Sequence, residues 1–185
     1  PRPQRLQRPP RTRLTPVLIA LAGWLGTSPM AQAQSFTNGN TALPTTYNSG
    51  GCVGFADLDG DSYDDLIILD QSRVLHTLYQ APNGTFTDFN LGNVSGSSQW
   101  GMCVGDFDND GHKDVFSGGS YDGVHLMHIT APGQGTLSAL GNGSMFMQAC
   151  NMADIDQDGV LDVFACHDDA VSRLWKGDEA GALTN

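Results

Sequence analysis

The chain has 185 residues, with nine basic and twenty acidic side chains and a sequence pI of about 4.4. This length suits one domain of ordinary size. A surface with so large an excess of carboxylates repels nucleic acid and anionic membranes, so we expect neither as a partner.

The first 33 residues predict a secretory signal peptide. Five arginines precede a short apolar run, Val17–Leu25, and Ala31-Gln32-Ala33 then supplies a small-x-small cleavage site before Gln34. The apolar run is shorter than the ~20 residues that a membrane anchor needs. We therefore expect an exported chain with no membrane span after cleavage, located in the periplasm or outside the cell, including the cell surface.

Residues 34–50 are polar and rich in Gly, Asn and Thr, which is typical of a linker or a leading outer strand. A repeat follows, with acidic residues at positions 1, 3, 5 and 9 of each copy. Successive copies begin 49 and 48 residues apart, and these positions hold twelve of the twenty acids. The three copies are the first loop (Asp57–Asp65), the second loop (Asp106–Asp114) and the third loop (Asp154–Asp162).

Short apolar segments rich in β-branched and aromatic residues flank each loop, and they predict strands. Two more strand candidates follow in each unit, separated by turn signals such as Pro82-Asn83-Gly84 and Pro132-Gly133. The sequence therefore predicts an all-β fold of about three four-stranded blades of the β-propeller type, at residues 51–99, 100–147 and 148–185.

The loop pattern D-x-D-x-D-G-x-x-D predicts about three Ca²⁺ sites, because Ca²⁺ takes six to eight hard oxygen ligands. Side chains at positions 1, 3, 5 and 9 and the backbone carbonyl at position 7 are the expected ligands. They are Asp57, Asp59, Asp61, Tyr63 and Asp65; Asp106, Asp108, Asp110, His112 and Asp114; and Asp154, Asp156, Asp158, Val160 and Asp162. Gly111 and Gly159 at position 6 permit the positive φ of a tight turn, whereas Ser62 predicts a weaker first site.

Other interpretations of the loops fit less well. An EF-hand needs Glu at position 12 and flanking helices, but position 12 is Ile68, Ser117 or Ala165 and the flanks predict strands. Thrombospondin-like calcium loops recur at much shorter intervals. Solvated Asx turns explain one copy but not three with four acids each.

The three loops, with Gly54-Phe55-Ala56 and Val104-Gly105 before the first two, resemble FG-GAP or VCBS-type repeats over residues 51–176. The resemblance implies a calcium-stabilised propeller, often seven-bladed, with ligand Asp residues at the aligned positions. Three blades would then form part of a larger ring: we expect either that the chain is incomplete or that partners complete the ring. Such propellers serve in adhesion, carbohydrate binding and accessory roles beside enzymes.

We therefore expect an extracellular binding or adhesion module for a protein or glycan, with structural calcium and no catalytic residues. Adjacent residues of a strand face opposite sides, which argues against catalysis by Cys166-His167-Asp168 and, by the same rule, against a metal pair of His125 and His128. The alternatives are an accessory part of an exported carbohydrate-active enzyme and a structural repeat array.

Two further hypotheses concern side chains outside the loops. An even number of cysteines in an exported chain favours disulfides. Symmetry about Asp158 suggests the pair Cys150–Cys166. Cys52 and Cys103 precede equivalent strands of successive repeats, which suggests a bridge between adjacent blades. Trp100 and Trp175 are candidates for stacking on a sugar, although packing between blades is the more common role of such residues.

Overall fold

The computed structural model describes residues 37–71, 73–140 and 144–185. The predicted signal peptide, residues 1–33, lies outside them. The described part contains a short 3-10 helix, Asn40–Ala42, and twelve strands, and no α-helix. Among these residues the structure contains no helix with the length and apolar character needed to cross a lipid bilayer.

The strands form three four-stranded antiparallel sheets in chain order. The first sheet contains β1 (Val53–Ala56), β2 (Asp65–Leu69), β3 (Val74–Gln80) and β4 (Phe86–Asn93). The second contains β5 (Gln99–Gly105), β6 (Asp114–Gly119), β7 (Val124–Ala131) and β8 (Gln134–Ala139). The third contains β9 (Met147–Ala153), β10 (Asp162–His167), β11 (Arg173–Gly177) and β12 (Leu183–Thr184). The predicted all-β fold of propeller-type blades is confirmed, and the sheets of the described residues do not close into a full propeller.

Each acidic loop connects the first two strands of its sheet, and the register of those strands fixes where the loop begins and ends. Ala56 pairs with Asp65, Gly105 with Asp114, and Ala153 with Asp162. The position-9 acid is therefore the first residue of the second strand in every sheet. All three loops consequently lie at equivalent ends of their sheets.

Two apolar cores lie between successive sheets. The first core joins the first and second sheets through residues such as Ile67, Leu75 and Val115. The second joins the second and third sheets around Phe116 and Trp175, whose rings are 5.7 Å apart. Because alternate residues of β6 enter different cores, this strand is buried on both faces.

Glycines on β5 allow the third sheet to approach closely. A Cβ built on Gly101 would lie 3.1 Å from the Cα of Ala149, and one on Gly105 would overlap Met152 and Leu161. A larger side chain at either position would push the strands apart. The packing of one sheet on the next therefore depends on backbone approach as well as on apolar side chains.

The segment predicted as a linker or leading outer strand, residues 34–50, is described from residue 37. It forms the 3-10 helix and then extended chain, and it is not a strand of the first sheet. Leu43 and Tyr47 line a cavity with Val53, Phe55 and Ile68 on the outer face of that sheet. The segment thus partly covers apolar side chains that face away from the first core.

The predicted disulfides are wrong in this structure, in which all four cysteines are free. Cys150 lies opposite Ala165 and Cys166 lies opposite Ala149, so the two thiols are on different faces of the sheet. Cys52 is buried in the first core, whereas Cys103 packs against the second. Cys103 instead neighbours Cys150, whose pKa is raised by the hydrogen bond between the two thiols and by burial.

Candidate metal sites

The three loops share one backbone conformation, with positive φ at positions 4 and 6. Position 4 is Gly60, Asn109 or Gln157, with φ of 80°, 55° and 63°. Position 6 is Ser62, Gly111 or Gly159, with φ of 73°, 96° and 92°. The expected positive φ at position 6 is thus present in all three copies. Ser62 also has a positive φ, although this left-handed conformation costs a residue with a Cβ on the order of 1 kcal/mol.

The acids at positions 1, 3 and 5 converge in every loop. In each triad, one carboxylate oxygen per residue lies within 4.8 Å of the others. The triads are Asp57, Asp59 and Asp61; Asp106, Asp108 and Asp110; and Asp154, Asp156 and Asp158. Carboxylates this close repel each other by on the order of 1 kcal/mol per pair even in water, so the loop conformation favours a bound cation.

The position-1 acid also organises the loop backbone. The two oxygens of Asp57 accept the N–H groups of Gly60 at 2.8 Å, Asp61 at 3.1 Å and Ser62 at 2.9 Å. Asp106 and Asp154 accept the corresponding N–H groups of positions 5 and 6 in their loops. These hydrogen bonds aim the carboxylate into the turn and place it beside the position-3 and position-5 acids.

The position-9 acid has a different environment. Asp65, Asp114 and Asp162 are at most 1% exposed, and none of them belongs to the triad of its loop. Asp65 accepts the N–H groups of Leu58 at 2.9 Å and of Gln80 at 2.8 Å. Asp114 and Asp162 accept from the equivalent pairs, position 2 of the loop and the third strand of the sheet. The buried acid therefore ties the loop to the third strand.

One residue on the third strand of each sheet approaches the position-3 and position-9 acids. It comes 14 residues after the position-9 acid and is Tyr79, His128 or Lys176. His128 Nδ1 lies 3.9 Å from Asp108 and 3.5 Å from Asp114. Sequence reasoning missed this position, although its constant offset from the loop is visible in the repeat.

Lys176 makes the closest of these contacts. Its Nζ lies 2.5 Å from Asp156 Oδ2 and 3.0 Å from Asp162 Oδ2. The hydrogen bond to Asp156 raises the pKa of Lys176, so the side chain is cationic at neutral pH. The third triad therefore has an ammonium group of the protein against its position-3 carboxylate.

The pKa values of the buried acids reflect this difference. Burial raises the pKa of Asp65, and it raises the pKa of Asp114 to about 6. Burial acts in the same direction on Asp162, but hydrogen bonds from Gly177 and Lys176 outweigh it and lower the pKa. Equivalent carboxylates in the same fold thus shift in opposite directions, and Asp162 is the one of the three that accepts a hydrogen bond from a lysine.

The donor chemistry of the triads fits a hard divalent cation. Every converging atom is a carboxylate oxygen, and the exposed mouth of the loop leaves room for water as a further ligand. The triad residues would hold such an ion, as the sequence predicts. Ligation through the carbonyl groups of Tyr63, His112 and Val160 and through the position-9 acids stays a prediction.

The opposite end of the first and second sheets contains a cavity of about 450 Å³. Trp100, half exposed, lines it together with Asp70, Gln71, Arg73 and Gln99. The other tryptophan considered as a sugar contact, Trp175, is completely buried in the second core, so that hypothesis is wrong for Trp175. An aromatic side chain beside polar groups in a cavity is an arrangement that suits a sugar ring.

Histidines outside the loops lie in environments that differ from one another. His167 Nδ1 lies 3.0 Å from Asp169 Oδ1, and the His167 ring contacts Tyr121 edge-on. His125 lies opposite Ala139, and burial lowers its pKa. His125 and His128 thus have separate environments, because only His128 neighbours the second loop.

Comparison with known proteins adds one family. A family model described as FG-GAP-like repeat matches residues 57–117 and 106–165, and the two matches overlap at the second loop. A search of curated proteins found no match to the chain.

Proposed function

Because the chain belongs to the FG-GAP-like repeat family, we propose that it is an exported, calcium-binding propeller module that recognises a glycan or protein outside the cell. The observation that carries the calcium assignment is the convergence of three carboxylates in each of three loops. We assign the module no catalytic role.

Calcium has a structural role in this proposal. A divalent ion held by the triad neutralises three mutually repelling carboxylates and fixes a turn that contains two residues with positive φ. The ion would therefore stabilise the connection between the first two strands of each sheet. Extracellular calcium modules often bind with dissociation constants of about 0.1–1 mM, so the ion would be retained outside cells.

The test of the calcium assignment is the melting temperature in chelator and in millimolar Ca²⁺. At a free concentration of about ten times the dissociation constant, each site adds about 1.4 kcal/mol, and occupied sites together shift the melting temperature by at least about 5 °C in a chain of this size. A variant with Asp59, Asp108 and Asp156 all changed to Asn should lose this shift. An equal melting temperature with and without Ca²⁺ in the unaltered chain would refute the assignment.

The recognition site that we propose is the cavity beside Trp100. The exposed indole offers a stacking face, and Asp70, Gln71, Arg73 and Gln99 offer hydrogen-bonding groups for sugar hydroxyls. A glycan array probed in Ca²⁺ with the chain and with Trp100→Ala tests this. Glycan binding that survives the substitution would exclude the site. If no glycan on the array binds the unaltered chain, a protein partner or a structural array is favoured.

Export is the remaining part of the proposal. It rests on the arginine-rich start, the apolar run and the Ala31-Gln32-Ala33 cleavage signal. Mass spectrometry of the product secreted by a Gram-negative host should find an N-terminus at Gln34. Retention of the uncleaved chain in the cytoplasm would contradict export.

A further inference from the structure

The third loop differs from the first by a cation that the protein itself provides on the third strand of the sheet. Lys176 Nζ is 2.5 Å from Asp156 and 3.0 Å from Asp162. The residue at the same position of the first sheet is Tyr79, a neutral side chain that is 8% exposed. The equivalent position on the third strand therefore holds a neutral side chain near the first loop and a cationic one near the third.

We infer that Lys176 acts as a built-in counter-ion of the third loop, so that this loop binds Ca²⁺ more weakly than the first loop and keeps its conformation without it. The inference rests on the proposed calcium function and adds a residue that ranks the sites within one chain. It also reverses the order that the sequence of the loops alone predicts, in which Ser62 makes the first site the weakest.

Electrostatics supports this ranking. A Ca²⁺ ion held by the third triad would come within a few ångströms of the Lys176 ammonium group, and both would share the Asp156 carboxylate. The ion must either displace the lysine or bind beside a positive charge. A unit charge this close to a divalent ion weakens binding by about tenfold or more.

The first loop has more acidic and fewer basic side chains around it than the third loop. Position 8 is Asp64 there, and Lys113 or Leu161 in the second and third loops. Lys113 Nζ lies 3.6 Å from Asp106 of the second triad, whereas no described Lys or Arg forms an ion pair with the first triad. The first loop therefore has the largest local excess of negative charge, which favours the tightest binding of a divalent ion.

The decisive experiment is a calorimetric Ca²⁺ titration of the whole chain and of Lys176→Gln. We expect the unaltered chain to fill its third site only at about tenfold or more higher Ca²⁺ than its first. Lys176→Gln should bind the third ion at least about tenfold more tightly. Adding Asp154→Asn to Lys176→Gln should remove the gained site and so assign it to the third loop.

Two control variants separate a local effect from a change in total charge. Arg173→Gln removes one positive charge from β11 at the end away from the loop, and it should leave the calcium affinities unchanged. His128→Lys places a lysine at the equivalent position of the second sheet and should weaken the second site. In chelator, Lys176→Gln should lower the melting temperature, and saturating Ca²⁺ should restore it.

The possible failures are distinguishable. Three sites of equal affinity in the unaltered chain, or an unchanged third site in Lys176→Gln, would overturn the role of Lys176 while the calcium function stands. An absence of Ca²⁺ binding in the unaltered chain and in every variant would overturn the proposed function itself, and with it this inference.

Discussion

Substitution of Asp65 by alanine tests whether the position-9 acid stabilises the fold independently of metal. Asp65 is 1% exposed, and its oxygens accept the N–H groups of Leu58 at 2.9 Å and Gln80 at 2.8 Å. Alanine leaves both donors without a partner in a buried position, at about 1–3 kcal/mol each. Removal of a buried charge offsets part of this loss, so we expect the free energy of unfolding to fall by about 2–4 kcal/mol.

Urea denaturation in chelator, followed by tryptophan fluorescence, measures this loss without any contribution from bound metal. Asp59→Ala is the matched control, because the hydrogen bond that Asp59 accepts from Asp61 is long, at 3.3 Å. We expect Asp59→Ala to leave stability in chelator unchanged or to raise it by about 1–2 kcal/mol, because it removes a charge from the repelling triad, and to reduce the stabilisation by Ca²⁺.

Asp65→Asn gives an intermediate test, since its single carbonyl oxygen replaces one of the two acceptors. Its loss of stability should lie between that of the unaltered chain and that of Asp65→Ala. If Asp65→Ala unfolds in chelator at the same urea concentration as the unaltered chain, the two hydrogen bonds do not tie the loop to the third strand, and the reasoning fails.

Three other predictions concern the cores, the thiols and one buried acid. Trp175→Ala should cost about 3–5 kcal/mol in urea denaturation because the indole is fully buried, whereas Trp100→Ala should cost little. A thiol reagent at pH 8 should label exposed Cys166 quickly and Cys52 only on unfolding, because burial raises the pKa of Cys52 to about 11. Burial raises the pKa of Asp114 to about 6 in the folded chain, above the usual value of an unfolded Asp, so the folded state takes up a proton first. In chelator, the free energy of unfolding should therefore rise as pH falls from 7 to 4. Asp114→Asn should lack that gain.

The sequence predicts the loops and the strand order well because each depends on local pattern. The acids recur at fixed positions, and turn residues separate short apolar runs, so three four-stranded units follow without any knowledge of long-range contacts. The conformation at Ser62 is the exception within the loops. Gly60 and Ser62 both have positive φ, which shows that the turn is specified by the whole loop and not by one glycine.

The cysteine pairing could not be predicted because it depends on register to a single residue. Symmetry about Asp158 would place Cys150 opposite Cys166, but Ala153 pairs with Asp162 and the register is displaced by one. Such a displacement moves a side chain to the other face of the sheet. The two thiols therefore face apart although they lie on adjacent strands.

The triad acids and the position-9 acid of each loop make different contacts with the third strand of their sheet. The triad lies at the mouth of the loop, while the buried position-9 acid lies behind it and accepts an N–H group from the residue 15 positions later, which is Gln80, Ile129 or Gly177. The side chain just before that residue reaches the same acids. A short stretch of the third strand thus closes the loop through its backbone and sets the local charge through its side chain. Because the backbone contact is common to all sheets, a change of charge such as Lys176 can tune one metal site without altering the shared fold.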